Sequence, residues 1–510
     1  MKPTYIKISV LATMLSMASC SEDFLVKTDP NAIAAADFYQ TENDVLLGLN
    51  GAYQSLRNNN GIAEGSGLYA EQRSDNTGTN DNQSNAGEPF QFNDFSILPS
   101  NTYLRSHWLA LYQIVTRANQ VLAGMEGIPF ANPQTKAQYQ AEAKFIRALA
   151  YFHLVRKWGD VPLVTQPLNS ADAVRASTFR EKKEKVYEQI VADLTEVANS
   201  SLPDVQPAAQ KGRVSKVAGN ALLGQVYLTM ATTLDAANRA TNLNQAKTFL
   251  TNAYSKRTFG LLKEIPYADV FDVTKKSTNP EIIFQIVYRQ GDVNFASGIA
   301  ASNQAQGETI NSLRTTTGVG GNVKPDLVKD YEEGDTRKDF SIKFANAANV
   351  RDYFITKYRD TSPAATTNGW GGNDWILMRY ADVILMLAEV NMYLGDEAAA
   401  ISLLDQVRDR AKLPLYNVAR TNSAYSAKYP TLKLAILHER RVELAFENHR
   451  WFDLLRFFTP AELVTYFQAK PQADYGAAKV SNFGPKDYYF PIPFDEVKLN
   501  PEKMNQNPGY

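Results

Sequence analysis

Residues 381–414 read ADVILMLAEVNMYLGDEAAAISLLDQVRDRAKLP. With Ala381 as position 1 of a 34-residue tetratricopeptide unit, its small and apolar positions fall on Ile384, Leu387, Ala388, Gly395, Ala400, Leu404 and Val407. Asn391 departs from the pattern, where Tyr is common. Gly395-Asp396 supplies the turn between the two helices. A helix pair this short cannot bury its apolar face alone, so such pairs stack into a superhelix. The bland alternative is any antiparallel helix hairpin with small residues at the crossing.

Outward from this unit, helical periodicity dominates. A second unit reads Leu223, Gly224, Tyr227, then Ala246, Leu250 and Ala253, with about ten extra residues expected in its turn. Apolar stripes also mark Asp37 to Arg57, Trp108 to Leu122, and Ala141 to Trp158, the last stopping at Gly159 with Pro162 beyond. Further helices are expected over 182–199, 214–233, 243–256, 376–394, 397–411 and 432–457. The best strand is Glu281 to Tyr288 (EIIFQIVY). The fold expected is all-α, with tetratricopeptide-like pairs within about 105–158, 182–256, 376–412 and 432–457 in a single domain spanning 20–510. Three long irregular stretches, 58–100, 290–323 and 360–373, interrupt it. Compact domains rarely keep loops this long without use, and binding residues concentrate on loops held by a rigid scaffold.

Composition narrows the function classes. A formal net charge of −1 gives no basic surface for nucleic acid. Four His and one Cys, at scattered spacings, do not build a structural zinc site. No cofactor is indicated; a structural calcium holding a loop is an alternative for which no residue pattern speaks. Residues 1–19 read as an export signal: Lys2 and Lys7, then the apolar run Ile8 to Met17, then Ala18 and Ser19 before Cys20. Met17-Ala18-Ser19-Cys20 resembles a bacterial lipobox, which implies acylation of Cys20 and a chain anchored to the membrane rather than spanning it. Ser21-Glu22-Asp23 resembles the surface-export signal of Bacteroidetes lipoproteins, which implies an outer-membrane, surface-exposed location.

Several motifs, in order along the chain, resemble the SusD/RagB family of outer-membrane nutrient-binding lipoproteins. They are Arg147 to Phe152 with Trp158 to Leu163, Asn279 to Phe284, Asn373 to Val383, Glu439 to Glu447 continuing through Arg450 to Leu454, Pro491-Ile492-Pro493, and Gln506 to Tyr510. The resemblance implies a helical fold with tetratricopeptide-type pairs. It also implies an oligosaccharide ligand, or in some members a peptide, and a SusC-like TonB-dependent transporter as partner. It carries no individual binding residue over to this sequence.

Glu443 and Glu447 are the pair a catalytic interpretation would select. They lie one turn apart on one helix, whereas glycosidase carboxylates flank the bond from two sides. With Arg440, Arg450 and Arg456 nearby in sequence, a structural ion-pair network is expected instead. An all-α glycoside hydrolase or lyase would need a carboxylate pair from separate elements, and nothing singles one out. A peptide- or protein-binding receptor of the same fold is the nearer alternative. Sugar binding calls for rings that pack on C–H faces and planar polar groups that pair with hydroxyls. Candidates are Tyr69, Arg73, Asp75, Asn76, Asn80 and Phe90 in the first loop, Asn303, Asn311 and Arg314 in the second, and Trp370 between two glycines in the third. Arg73 and Asp75 could equally form a local ion pair, and Trp370 could equally be a loop anchor.

Overall fold

Thr41 and Asp44 start the first helix by capping each other. The Asp44 N–H donates to Thr41 Oγ1 at 3.3 Å, and the Thr41 N–H donates to Asp44 Oδ2 at 2.8 Å. A computed structural model describes residues 38–79, 83–234, 236–305, 307–308, 310–312, 322–345 and 351–510. The signal segment, Cys20, Asn80 and Arg314 lie outside them.

The main helices are α1 (Glu42–Ser55), α2 (Thr102–Gly124), α3 (Pro133–Trp158), α4 (Lys183–Ala198) and α5 (Lys216–Thr233). They continue with α6 (Arg239–Ser255), α7 (Tyr380–Tyr393), α8 (Glu397–Arg410), α9 (Leu432–Glu443) and α10 (Arg450–Phe457). Polar caps define most starts: Asn101, Asn132, Ser215, Asp396 and Thr431 each accept from a first-turn N–H. Each helix from α1 to α8 packs against the next in chain order, and α9 returns onto α7 and α8. That nearest-neighbour stacking is the all-α, tetratricopeptide-like architecture expected from residues 381–414. In that unit Ile384, Leu387, Ala388, Ala400, Leu404 and Val407 are all buried, and Gly395 turns at φ +82°.

Three differences from the sequence expectations have physical causes. In the second unit only residues 234–238 separate α5 from α6, so the extra residues lengthen the helices rather than the turn. Residues 376–379 are strand, not helix. Strand β6 (Trp375–Arg379) pairs antiparallel with β2 (Ile282–Ile286), whose backbone, buried along its length, needs a partner, and α7 starts only at Tyr380. The other strands of the described residues are short antiparallel pairs, β1 (Thr77–Gly78) with β3 (Asn322–Val323) and β4 (Ile342–Phe344) with β5 (Tyr353–Ile355). Third, the helix expected over 432–457 breaks at 444–449, where Phe446 and Asn448 take left-handed φ of 68° and 65°. Side chains from elsewhere satisfy the freed backbone. Glu71 accepts from the N–H groups of Phe446 and Asn448, and Lys357 donates to the carbonyl of Ala445.

The charge-dense run 439–456 is buried. Glu443 accepts from Arg379 at 2.6 Å, from Arg337 at 3.0 Å and from Arg410, while Glu447 accepts from Arg379 at 2.7 Å and from Lys357. Glu281 pairs with Arg379 and Arg410, and Glu439 with Arg337 and Arg408. The arginines come from a short helix (Thr336–Ser341), from β6 and from α8, so the network cross-links separate segments.

Candidate functional site

The three irregular stretches meet on one side of the scaffold. Glu64 of the first accepts from the Ser297 hydroxyl and from the Gly298 N–H of the second. The second joins the third through Gly291 N–H to the Trp370 carbonyl, 3.0 Å, and through paired Ser297–Gly371 backbone bonds of 2.8 and 2.9 Å. Asp360 fastens the corner, accepting from Gln290 Nε2 and from the Gly372 N–H.

A groove runs along this junction as three adjoining hollows of about 690, 510 and 300 Å³. The first two share Gly51, Gln54, Arg57 and Phe295, and the second and third share Asn59 and Glu64. Such volumes suit small organic ligands. At the centre stands Arg57, its guanidinium carbon 4.7 Å from the ring centroids of both Tyr288 and Phe295. Arg57 follows the C-terminus of α1, and its side chain forms no hydrogen bond or ion pair with any described residue. Burial lowers its pKa; Tyr288 and Glu64 oppose that shift. Burial likewise raises the Glu64 carboxyl, against the Ser297 and Gly298 bonds. Phe295 is 38 % exposed, while Tyr288 is buried behind it. Asn58, Asn59, Asn294, Gln113 and Arg117 surround the middle hollow. The groove therefore combines an open ring, a stacked guanidinium with unpaired donors, and amide side chains.

The sequence candidates fall in different places. Tyr69, Arg73, Asp75 and Asn76 are buried, Tyr69 at 1 % exposure and the other three at 0 %. Tyr69 stacks on His107 at 3.9 Å. Arg73 does not pair with Asp75; it donates to the Asp487 carbonyl and lies against Phe490 and Trp451. Asp75 takes a two-pronged contact from Arg450, 2.7 and 2.9 Å. Asn76 donates to Glu71 and accepts from Arg441. Phe90 is half-buried beside the cluster of Trp451, Phe467 and Phe483. In the second loop, Asn311 is buried and donates to the Ile355 carbonyl, while Asn303 lines the third hollow. Trp370 is half-buried, with its carbonyl holding Gly291.

Arg57 and Phe295 were not singled out by the sequence, although one signal was present. Phe295 lies in a Gly-, Ser- and Asn-rich stretch, as Trp370 does.

Glu332, His438 and Glu439 offer ligand atoms within 4.8 Å of one another. The Arg408 guanidinium bridges Glu332 and Glu439, so a cation already serves both carboxylates, and the donor set does not fit a metal ion.

Gly371 permits the junction of the second and third loops. A Cβ there would sit 2.9 Å from the Ser297 carbonyl oxygen. Gly371→Val is expected to push the two backbones apart, to cost about 1–3 kcal/mol, and to weaken any ligand of the groove; denaturant unfolding and a binding titration on the same variant check both.

Comparison with known proteins places this architecture. A model described as the SusD family matches residues 285–510, and one described as "Starch-binding associating with outer membrane" matches residues 23–228. The SusD-like protein P2 of Formosa agariphila is 28% identical, with 99% of each chain covered. A solved structure titled "Laminarin binding SusD-like protein" is 27% identical with a TM-score of 0.73, covering 92% of this chain and all of that one. The structure titled "B. fragilis NanU" is 25% identical with a TM-score of 0.74, covering 95% of this chain and all of that one.

Proposed function

Because the chain belongs to the SusD family, we propose that it captures an oligosaccharide at the outer membrane, in the groove between its first two loops, and does no chemistry on it. The observation that carries this is Arg57, packed on Tyr288 and Phe295 with its donors unpaired beside a row of amides. A sugar can lay its C–H face on the exposed ring and give its hydroxyls to the guanidinium and amides. The similarity to a laminarin-binding structure at 27% identity supports the same ligand class.

Catalysis is disfavoured by the state of the candidate carboxylates. A glycosidase acid must hold a proton near neutral pH and reach the substrate. Glu443 and Glu447 are buried and held ionised by arginines and Lys357. Among the described residues no helix is long and apolar enough to cross a membrane. Attachment through a lipid on Cys20 and delivery of the glycan to a SusC-like TonB-dependent transporter belong to the same proposal, the first supported by the lipobox-like run Met17-Ala18-Ser19-Cys20.

Calorimetric titration of the purified protein against a panel of oligosaccharides and peptides tests the proposal. Saturable sugar binding is expected, weakened about tenfold by Phe295→Ala and similarly by Arg57→Ala, as for the loss of a stacking partner worth about 1–1.5 kcal/mol. Trp370→Ala is expected to weaken it less, since Trp370 lines none of the three hollows and its bond to Gly291 is made by the backbone carbonyl, which the variant keeps. Binding of peptides alone would overturn the ligand class. Sugar binding indifferent to Phe295 and Arg57 would overturn the site.

A further inference from the structure

A second cavity, of about 260 Å³, opens between the N-terminal end of α5, the C-terminal end of α6 and the segment before β2. It shares no lining residue with the groove, although both are walled by the 208–213 turn and by β2 or residues beside it. Its rim is polar and exposed, with Thr258, Ser277 and Thr278.

Two groups in its lining are unusual. Lys211 is 8 % exposed, yet its ammonium forms no hydrogen bond or ion pair with any described residue. The Tyr380 hydroxyl is buried and likewise without a partner. Neighbouring charges do not resolve this. Lys256 at the rim is paired with Asp204, which also takes Lys216. Arg257 donates to backbone carbonyls. The Lys211 stem is buried but its ammonium keeps access to the cavity, so the charge faces that space without a counter-ion, and the buried tyrosine hydroxyl lacks the partner such groups normally find. Burial is the sole influence lowering the Lys211 pKa, with no carboxylate acting on it.

We propose that the cavity lined by Lys211 and Tyr380 is a second binding site, for a small ligand bearing a carboxylate or sulfate group. The anion supplies the missing counter-charge and accepts from the tyrosine hydroxyl, while the ligand's body meets the rim hydroxyls. The volume is equivalent to about nine liquid waters, so the site suits one small acid or an inorganic anion rather than a chain of sugars.

The test uses the full chain, titrated calorimetrically with sodium glucuronate, sodium sulfate and glucose in a buffer poor in other anions. Glucuronate or sulfate is expected to bind saturably, with glucose at least tenfold weaker. Tighter binding of glucuronate identifies an organic acid as the ligand, and equal binding identifies the free anion. Lys211→Met removes the charge but keeps the length of the stem, and is expected to abolish anion binding while oligosaccharide binding in the groove stays within twofold. Sulfate also stabilises proteins by exclusion from their surface, so the thermal shift it gives must be larger in the unaltered protein than in Lys211→Met. Tyr380→Phe, which keeps the ring, is expected to weaken the anion several-fold and provides the test if the Lys211 variant does not fold. Absence of saturable anion binding, or binding unchanged in these variants, overturns the proposal.

Discussion

Glu443→Ala is expected to destabilise the protein by about 3–5 kcal/mol, the cost of breaking a buried ion pair by removing one partner. The carboxylate is fully buried and accepts from Arg337, Arg379 and Arg410. Removing it leaves three guanidinium groups around a void, with Glu281, Glu439 and Glu447 each already engaged. Burial alone would raise the Glu443 pKa, but Arg410, Arg379 and Arg337 outweigh it and hold the group well below the ordinary range. At Glu447 burial also pushes up, and Arg379 with Lys357 brings it down to about 2. Depressed folded-state values mean that the stabilisation is complete above the unfolded carboxyl pKa, 4.5, and is lost as pH falls towards about 2. Urea midpoints measured between pH 7 and pH 2 should therefore fall steeply below about pH 4.5 in the unaltered protein. In Glu443→Ala the midpoint should start lower and fall less. An unchanged midpoint at pH 7 would remove the network from the account of stability.

The role of this charge run was legible in the sequence, but its partners were not. Spacings of three and four suggested neighbours on one helix, and Arg456 does pair with Asp453 in that way. Arg440 also meets Asp453 within the run, but the other partners lie elsewhere in the chain, Arg456 reaching Glu389, Arg440 Asp382, and Arg441 Asp326 and Asp330. Helix periodicity is a local signal, so the repeat at 381–414 was readable. The break at 444–449 was not, because Glu71 and Lys357, which satisfy its backbone, lie far away in sequence. The same limit governed the site. Polar and aromatic residues in a Gly- and Asn-rich loop drew attention to that loop, and its Asn58, Asn59 and Glu64 line the middle hollow. Burial within the loop depends on counter-charges and rings contributed by residues 441–490, and those turned Arg73, Asp75 and Asn76 inward. Phe295 stayed outside because no such partner claims it.

Asp75→Ala separates these two roles for the first loop. The carboxylate accepts from Arg450 at 2.7 and 2.9 Å and from Tyr466 at 2.6 Å, with Lys470 at 3.1 Å and Arg441 at 3.4 Å. Burial raises its pKa, and Arg441, Arg450 and Lys470 reverse the shift to well below the ordinary value. Its loss leaves those cations facing one another, and about 3–5 kcal/mol of stability should go with it. Asp75→Asn, which keeps the shape without the charge, should lose less. Asp75 has no surface left for a sugar, so its effect on binding must pass through the loop. The stretch is held again at Asn76 and at Glu71, which lines the third hollow and grips the 446–448 turn. Oligosaccharide affinity, measured where the variant remains folded, is therefore expected to fall less than fivefold while the unfolding midpoint drops sharply. Phe295→Ala should give the reverse, a large loss of affinity with little change in stability, because an exposed ring contributes to the ligand and not to the core. If Asp75→Ala instead abolished binding at unchanged stability, the carboxylate would belong to the ligand site, and the groove would have to be redrawn around the first loop.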